Sequence, residues 1–445
     1  MQVTRRTILA SAAAAAPALP RSPGSANNRI RVGIAGVSGR GNSLMKSIHR
    51  LAAEDVEVAA LCDVDASALA KRAAEFQQLT GKPVPTVPDM RRMLDDKSID
   101  AVIHTTPTNW HSLGGLWTLQ AGKDAYIEKP LALTLDEGER LVAATRKTNR
   151  IVQHGTQCRS GPEILEAMHL LREGVIGDIY LARGIGHKYR PGIGQLAPQA
   201  PPSTLNYDMW RGPAPMKPYS PNQVHYNWHW FWDTGNGEVG NLAVHSLDVM
   251  RMVLGLHEFP DRVQSMGGHL IFDDCKEAPN VQTSVFHYAN RRVVLEHSVR
   301  SGYTNSEAGM GEQIAFTLGD RRDAHGLIFY GTEGYMVLPD YISYYTYLGR
   351  DRKAGPTRVG TRPPEANEPH LVNFFKAMRS RKKGDLNAEV EEGRRSAALC
   401  HYANIAYRTG RTLQIDSQSG QIQNDPEAAA LGRREHRAPY QLPVI

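Results

Sequence analysis

Short apolar runs alternate with amphipathic, helix-length segments between residues 29 and 150. The apolar runs predict buried strands at Ile30–Ala35, Val56–Leu61, Ala101–Thr105 and Ala125–Ile127. The segments between and after them have helical spacing and predict helices at 42–52, 66–79, 88–95, 111–121 and 135–148. Strand and helix alternating at this pace predict an α/β domain in which helices cover both faces of a parallel sheet.

The second half of the chain has a less regular pattern. Pro191–Asn222 is rich in proline and glycine and predicts a long surface loop, of the kind often found near binding sites. His225–Asp233 carries tryptophans at alternate positions, which predicts an extended segment with these rings on one face. The helical pattern ends after Arg411, and residues 421–445 read as a polar, largely irregular tail.

Composition narrows the range of partners. The chain has 445 residues, enough for two or three domains, and Lys and Arg total 52 against 46 Asp and Glu, a net charge of +6. This excess is spread along the chain without interleaved aromatics, so nucleic-acid binding is not expected. The four cysteines lie far apart and contain no Cys-x-x-Cys pair, which excludes a disulfide framework and a zinc-finger spacing.

The N-terminus has the pattern of an export signal. Arg5 and Arg6 precede an apolar, alanine-rich run at Ile8–Pro20, which is too short to span a bilayer as a helix. Twin arginines in this position predict export of a folded protein to the periplasm or beyond, with residues 1–28 as signal and linker. The alternative is a disordered basic N-terminus. No later stretch is apolar enough to predict membrane insertion after export.

A glycine-rich turn follows the first predicted strand and opens the first predicted helix. There, backbone N–H groups and the helix dipole can face a pyrophosphate, and Asp63 at the end of the second strand can bind ribose hydroxyls. No arginine follows Asp63 to receive a 2′-phosphate, so NAD is favoured over NADP. A helix cap is the alternative role for Asp63. The predicted loop contacts are Gly36, Ser38, Gly39, Arg40 and Gly41.

Two further segments resemble a known family. The stretch Ala121-Gly-Lys-Asp-Ala-Tyr-Ile-Glu-Lys-Pro130 resembles the AGKxVxxEKP signature of the Gfo/Idh/MocA oxidoreductases, and Thr105–His111 closes the preceding strand. Weaker similarity continues through 236–245, 330–334 and 403–411. The resemblance implies an N-terminal Rossmann NAD-binding domain at 29–150. It also implies a substrate-binding and oligomerisation α/β domain with a large, mostly antiparallel sheet at 151–420, and assembly as a homo-oligomer.

The resemblance also implies roles for individual residues. It places Lys129 beside the substrate hydroxyl, where its ammonium can stabilise a developing alkoxide, and Glu128 near the cofactor. The residues that it implies along the nicotinamide side are Thr106, Pro107, Asn109 and His111.

The acid–base position departs from the family pattern. The family usually has Asp-x-x-x-His there, whereas this chain has Asn241 and His245, four residues apart and predicted on one helical face. Asn241 can orient a hydroxyl but cannot act as a base, so the sequence favours His245 as the group that moves the proton. The alternative for His245 is a core histidine satisfied by a carbonyl.

The aromatic side chains of His225–Asp233 predict a carbohydrate site. Rings beside polar groups suit stacking on a sugar, and a packed aromatic core is the alternative. His225, His229 and His245 lack a carboxylate–histidine motif, so no metal is predicted. The predicted substrate contacts are Tyr189, His225, Tyr226, Trp228 and Trp230.

These features lead to three hypotheses. The first is an exported NAD-dependent oxidoreductase that acts on a secondary alcohol of a sugar, glycoside or cyclitol and keeps its cofactor bound, because little free NAD exists outside the cytoplasm. The second is a redox-neutral, NAD-dependent glycosidase that oxidises, eliminates and reduces in one cycle. A non-catalytic sugar- or NAD-binding protein is the third reading, and Lys129 and His245 argue against it.

Overall fold

The computed structural model describes residues 29–195, 198–301, 323–361 and 367–444. The predicted export signal at 1–28 lies outside the described residues. Within the described part of the chain, two sheets organise the molecule, one of six strands and one of ten. Among the described helices, none is long and apolar enough to cross a membrane.

The first sheet is parallel and has the order β3-β2-β1-β4-β5-β6 among the described strands. This order reverses between β1 and β4, which creates the crevice where ligands bind in open α/β sheets. Its strands are β1 Ile30–Ala35, β2 Val56–Cys62, β3 Thr86–Val87, β4 Ala101–His104, β5 Asp124–Ile127 and β6 Val152–His154. Its helices are α1 Arg40–Arg50, α2 Ala66–Thr80, α3 Met90–Asp95, α4 His111–Gln120 and α5 Leu135–Thr148.

Local signals explain where these helices begin and end. The Asp65 side chain accepts from the Ser67 N–H at 2.9 Å and caps α2, which ends at Gly81 in the left-handed region with φ 72°. Asp65 therefore takes the helix-cap role, which leaves Asp63 free for another one. The predicted strands are confirmed with small shifts of their ends. The sheet also contains two strands that were not predicted, the short β3 and β6, which lies beyond residue 150.

The second sheet is mostly antiparallel, with a parallel pair, β7 and β10, inside it. Side chains along β9 alternate between buried and partly exposed, as expected when one face packs on helices. Its described strands are β7 Ile179–Lys188, β8 Arg262–Gly268, β9 Val281–Tyr288, β10 Val293–Arg300, β11 Asp323–Gly331, β12 Gly334–Leu338, β13 Ser343–Leu348, β14 Lys353–Val359, β15 Leu413–Ile415 and β16 Ile422–Gln423. The remaining described helices are α6 Pro162–Arg172, α7 Tyr207–Arg211, α8 Val244–Leu254, α9 Glu368–Ser380, α10 Val390–Thr409 and α11 Pro426–Ala430.

Two late helices tie the two halves together. Leu371, Phe374 and Phe375 of α9 are fully buried in the core of the first sheet, so the chain returns to the nucleotide-binding half after building most of the second sheet. The long helix α10 packs against α5 of the first half and against α8 and β8 of the second. A simple split at residue 150 therefore misses the part of the first half that comes from the C-terminal region.

A buried ionic network holds α8. Asp248 on this helix accepts from the Arg159 guanidinium at 2.8 Å and from the Ser396 hydroxyl at 2.6 Å, and both oxygens of its carboxylate are used by Arg159. Asp248 is fully buried, so these charge-assisted bonds are required to offset its desolvation. They fix the helix that carries His245.

The tail at 421–444 is largely irregular, as predicted, but folds back onto its own chain. Arg434 and His436 both contact the fully buried Glu137 carboxylate, at 2.7 and 2.8 Å. Tyr440 packs edge-on against Trp110, with ring centroids 5.4 Å apart. Burial alone would raise the pKa of Glu137, but Arg434 and His436 outweigh it and lower that pKa to about 2.

Replacing Glu137 by Gln should therefore destabilise the protein at neutral pH by an amount on the order of 3 kcal/mol, because Arg434 and His436 lose their buried partner. Since the folded pKa is lowered from 4.5 to about 2, the wild-type advantage is present above the unfolded value and is lost as pH falls through the folded one. Urea unfolding across this acid range measures both effects. The matched control is Glu139→Gln on the same helix, whose carboxylate is half exposed. Equal midpoints for the two variants would contradict the role of the tail.

Candidate active site

A cavity of about 370 Å³ opens at the carboxyl ends of β1, β2, β4 and β5, and loops of the second half cover it. Its volume is within the range of small-molecule sites. The predicted site residues that the structure brings together along its wall are Gly36, Ser38, Gly39, Arg40, Asp63, Thr106, Pro107, His111, Glu128, Lys129, His225, Tyr226, Trp228 and Asn241.

The glycine-rich turn fits a dinucleotide. Gly36 has φ +84°, and a Cβ there would lie 2.7 Å from the Thr105 carbonyl oxygen, so only glycine allows this close approach. Gly39 has φ +45° and open space around it, which leaves the backbone accessible to a ligand. Gly41 differs from the prediction: a Cβ there would lie 2.0 Å from the Gly36 carbonyl oxygen, so this glycine is needed for packing inside the turn.

Arg40 begins α1 beside this turn. Its Nε donates to Glu128 at 2.7 Å, and its buried Nη2 has no hydrogen-bond partner among the described residues. A buried guanidinium nitrogen without a partner is costly, and an anionic group at the start of a helix would satisfy it. Burial opposes the charge on Arg40, but Glu128 outweighs it and raises the pKa of Arg40.

Asp63 ends β2 at the other side of the turn. Its two oxygens accept from the backbone N–H groups of Val37 at 2.9 Å and Asp65 at 3.1 Å, which fixes the carboxylate and leaves further lone pairs for hydroxyls. Burial raises the pKa of Asp63, and these backbone bonds oppose that effect. The position suits ribose binding, and together with the glycine-rich turn it makes these residues fit NAD.

A loop of the second half closes over this side of the cavity. Leu205 pairs with Asp65 as an antiparallel bridge, and the flanking backbone bonds Asn206 N–H to Val64 O and Ala66 N–H to Thr204 O are 3.0 and 2.9 Å. His225 adds a contact of 2.8 Å between its Nε2 and Asp65. The sequence predicted a loop in this region but not this attachment beside Asp63.

Lys129 lies where the two halves meet. Its ammonium donates to the side-chain oxygen of Asn241 at 3.0 Å and also to the main-chain oxygen of Asn241. Burial lowers the pKa of Lys129 to about 8. Arg40 and Arg190 act in the same direction, while Glu128 and Glu238 oppose it. The result is a positioned ammonium group whose pKa lies only slightly above neutral pH.

Asn241 belongs to a wider polar network. Its amide nitrogen lies 3.4 Å from Glu238, which is buried and accepts from Arg190 at 3.1 Å. The Arg190 guanidinium also lies 5.6 and 5.5 Å from the ring centroids of Tyr226 and Trp230. Glu238 was not predicted as a site residue from the sequence, although it lies within the 236–245 segment that resembles the family.

The segment that carries Asn241 and His245 is not one regular helix. Val239–Ala243 forms a π-helical turn, and α8 begins only at Val244. A π-turn shifts backbone pairing by one residue and commonly occurs at functional sites. The prediction of one helical face through both residues is therefore wrong in detail, because the turn directs the main-chain oxygen of Asn241 to Lys129.

His245 is buried near Lys129. Its side chain is 9% exposed and is not part of the wall that the described residues form around the cavity. Its Nδ1 has no hydrogen-bond partner in the described part of the chain, and its ring lies 6.3 Å from that of Tyr341. Burial lowers the pKa of His245 well below its usual value, and Lys129 adds to this.

The prediction of an extended aromatic segment is wrong. Asn227–Trp230 forms a 3₁₀ turn, so the tryptophans do not share one face. Trp228 lines the cavity and stacks on His229 with centroids 3.6 Å apart and planes at 19°, whereas Trp230 is buried with its Nε1 donating to Asn227. His229 lines the cavity as well. It was not among the predicted substrate contacts and was named only as a candidate metal ligand.

Two other predicted contacts lie away from the cavity. The Asn109 side chain is buried and donates to the Arg211 carbonyl oxygen at 2.9 Å, so it holds the C-terminal end of α7. Tyr189 is 38% exposed and does not belong to the wall formed by the described residues. The described part of the chain contains no group of three or more side chains arranged to hold a metal.

Comparison with known proteins agrees with this geometry. Residues 30–156 match an oxidoreductase family with an NAD-binding Rossmann fold, and residues 176–274 and 358–442 match the C-terminal α/β domain of that family. The chain is similar to a levoglucosan dehydrogenase solved with NADH and levoglucosan (17% identity, TM-score 0.66, 87% of this chain and 99% of that one). It is also similar to the WlbA dehydrogenase of Bordetella pertussis solved with NADH and UDP-GlcNAcA (16%, TM-score 0.63, 87% and 98%).

Curated relatives match over a shorter region. A glycosyl hydrolase family 109 protein of Shewanella sp. (strain ANA-3) is 34% identical over 155 residues, which is 34% of this chain and 33% of that protein. An alpha-N-acetylgalactosaminidase of Shewanella oneidensis is 32% identical over 155 residues, which is again 34% of this chain and 33% of that protein. The match thus spans about a third of these relatives. With both of its domains matched, the chain belongs to the Gfo/Idh/MocA family of NAD-binding oxidoreductases.

Proposed function

We propose that the protein oxidises a secondary alcohol of a sugar, glycoside or cyclitol with an NAD that stays bound. The observation that carries this proposal is the Lys129 ammonium, which faces one cavity shared by the glycine-rich turn, Asp63 and the aromatic turn. Polar groups set among aromatic rings are the usual lining of a small-molecule site. The sugar-like ligands in the two similar dehydrogenase structures point in the same direction.

Different residues of this chain have different roles in the proposed reaction. Bound NAD supplies the hydride acceptor. Lys129 donates a hydrogen bond to the reacting oxygen and stabilises the negative charge that develops as the C–H bond breaks. Asn241 orients the ammonium through two oxygens. A neutral histidine takes the hydroxyl proton during oxidation and returns it during reduction. His229 and His245 are two candidates near Lys129, and burial lowers the pKa of each well below its usual value.

A redox-neutral glycosidase is the second candidate. The names of the Shewanella relatives favour it, since they describe glycosyl hydrolases and an alpha-N-acetylgalactosaminidase. Such an enzyme oxidises a ring carbon, eliminates the glycosidic substituent, adds water and returns the hydride. The same ammonium and the same retained cofactor would serve this cycle.

Retention of the cofactor follows from the loop that crosses the cavity. Leu205 and His225 attach this loop to Asp65, next to the residue proposed to bind the ribose. Release of the cofactor would require this attachment to open. A retained NAD suits an exported enzyme. On the basis of Arg5 and Arg6 we also propose that the protein is exported. We further propose that it assembles as a homo-oligomer.

The protein purified without added cofactor should contain stoichiometric NAD after extensive washing, measured by mass spectrometry. Offered free sugars and p-nitrophenyl glycosides, it should convert the bound NAD to NADH, detected by absorbance. Release of nitrophenol with unchanged NAD would instead establish the glycosidase cycle. Loss of NAD on washing would contradict retention, and no response to any of these compounds would contradict both candidate functions.

Replacing Lys129 by Met should lower turnover of the bound cofactor about a hundredfold to a thousandfold, because the developing oxyanion loses its charged donor. Since the cation is the required form and its pKa is about 8, wild-type turnover should fall as pH rises through that value. Stopped-flow absorbance measures both effects. Lys71→Met, at an exposed position on α2, is the matched control. A turnover that is unchanged in Lys129→Met would remove this residue from the site.

Replacing Arg5 and Arg6 by Lys should leave the protein in the cytoplasm, because the twin-arginine route requires both guanidinium groups. Immunoblots of periplasmic and cytoplasmic fractions measure the distribution. Arg21→Lys makes the same type of substitution at a neighbouring site, beyond the apolar run, and should leave export intact. Equal export of the twin-lysine and wild-type chains would contradict the proposed route.

A further inference from the structure

His229 lies inside the cavity that the proposed function uses. It belongs to the 3₁₀ turn Asn227–Trp230 and forms part of the same wall as Lys129 and Asn241. His245, by contrast, is not part of that wall. A group that exchanges a proton with a bound alcohol must reach it directly or through one water, so the position favours His229.

The backbone fixes the tautomer of His229. Its Nδ1 lies 2.6 Å from the Tyr226 carbonyl oxygen, which can only accept a hydrogen bond. The neutral ring therefore carries its hydrogen on Nδ1 and donates it to Tyr226. Nε2, on the other side of the ring, then carries the free lone pair of the neutral imidazole.

The turn also holds the ring in place. Trp228 stacks on one side of it, and the Trp228 carbonyl oxygen accepts from the Thr234 hydroxyl at 2.8 Å. Gly235 packs so closely on the turn that a Cβ there would lie 2.5 Å from the His229 carbonyl oxygen. The orientation of Nε2 is thus set by both the stacked indole and the backbone.

The surroundings keep this ring neutral. Burial lowers the pKa of His229 well below its usual value, and the positive charges of Lys129 and Arg190 lower it further, with His111 also near. The Tyr226 carbonyl opposes this effect. At neutral pH the ring is therefore unprotonated.

We propose that Nε2 of His229 is the proton acceptor of the oxidation, an inference that rests on the proposed function. The hydroxyl proton of the substrate moves to Nε2 while Lys129 holds the oxygen. NAD, when bound, would take the hydride from the same carbon as the C–O single bond becomes a carbonyl. In the reverse direction Nε2 returns the proton. His245, which is not part of the cavity wall formed by the described residues, does not exchange the proton.

His229→Asn tests this role with little disturbance, because the Asn amide can still donate to Tyr226 where Nδ1 did, while Nε2 is removed. Turnover of the bound cofactor with the free sugars and p-nitrophenyl glycosides should fall about a hundredfold to ten-thousandfold, with the NAD content unchanged. Added imidazole should restore part of the rate in His229→Ala. His169→Asn, at an exposed site on α6, is the matched control.

The outcomes separate this inference from the proposed function. If wild-type protein turns over and His229→Asn keeps its rate within twofold, or if only His245→Asn loses activity, the inference is wrong while the function stands. If wild-type protein responds to no compound, the proposed function and this inference are both wrong. Where wild-type protein turns over, imidazole-nitrogen NMR of His-labelled protein tests the inference independently of activity, with His229→Asn assigning the signal. A neutral ring with hydrogen on Nδ1 at pH 7 supports it, and a protonated ring or hydrogen on Nε2 overturns it.

Discussion

The arrangement of the two halves depends on one partly buried ammonium. Lys129 leaves the first sheet immediately after β5 and reaches its hydrogen-bond acceptors on Asn241, which belongs to the second half. An unpaired ammonium in a buried position costs several kcal/mol, so the structure is favoured only when the π-turn presents both oxygens of Asn241 to it. The flanking carboxylates have separate partners, since Glu128 pairs with Arg40 and Glu238 with Arg190.

The same ammonium controls the protonation of its surroundings. Burial is the main reason why the pKa values of His229 and His245 lie well below normal, and the positive charge of Lys129 is the next contribution for both. The reciprocal argument applies to Lys129, whose lowered pKa reflects burial and nearby arginines. A neutral base beside a cationic donor is the combination that alcohol oxidation needs, and it arises here from one low-dielectric junction.

Local patterns were sufficient to predict the nucleotide-binding half. The strand before Gly36, the acid at Asp63 and the Glu128-Lys129-Pro130 segment each depend on a few neighbouring residues, and all lie where a parallel sheet collects the carboxyl ends of its strands. The 3₁₀ turn at Asn227–Trp230 was missed because alternation of tryptophans also fits a strand, and only packing against Gly235 and the Tyr226 carbonyl decides between them.

Contacts between distant segments account for the other differences. Asn109 follows its strand as the family pattern implies, but its amide is used by the Arg211 carbonyl, 102 residues away in sequence. The tail depends on Glu137, whose two cationic partners follow it by 297 and 299 residues. Periodicity within a short window contains no information about such pairs, whereas the buried carboxylate itself signals that cationic partners must exist.

The closing loop connects this electrostatic junction to the fate of the cofactor. The turn after Asp63 is joined by backbone bonds to residues 204–206 and by His225 to Asp65, so the ribose side of the cavity is bounded by both halves of the chain. Opening it would disrupt backbone pairing, and closing it excludes water from the charges around Lys129. In the proposed function, this attachment favours repeated use of one NAD over exchange, and the hydride is then returned within the same cavity.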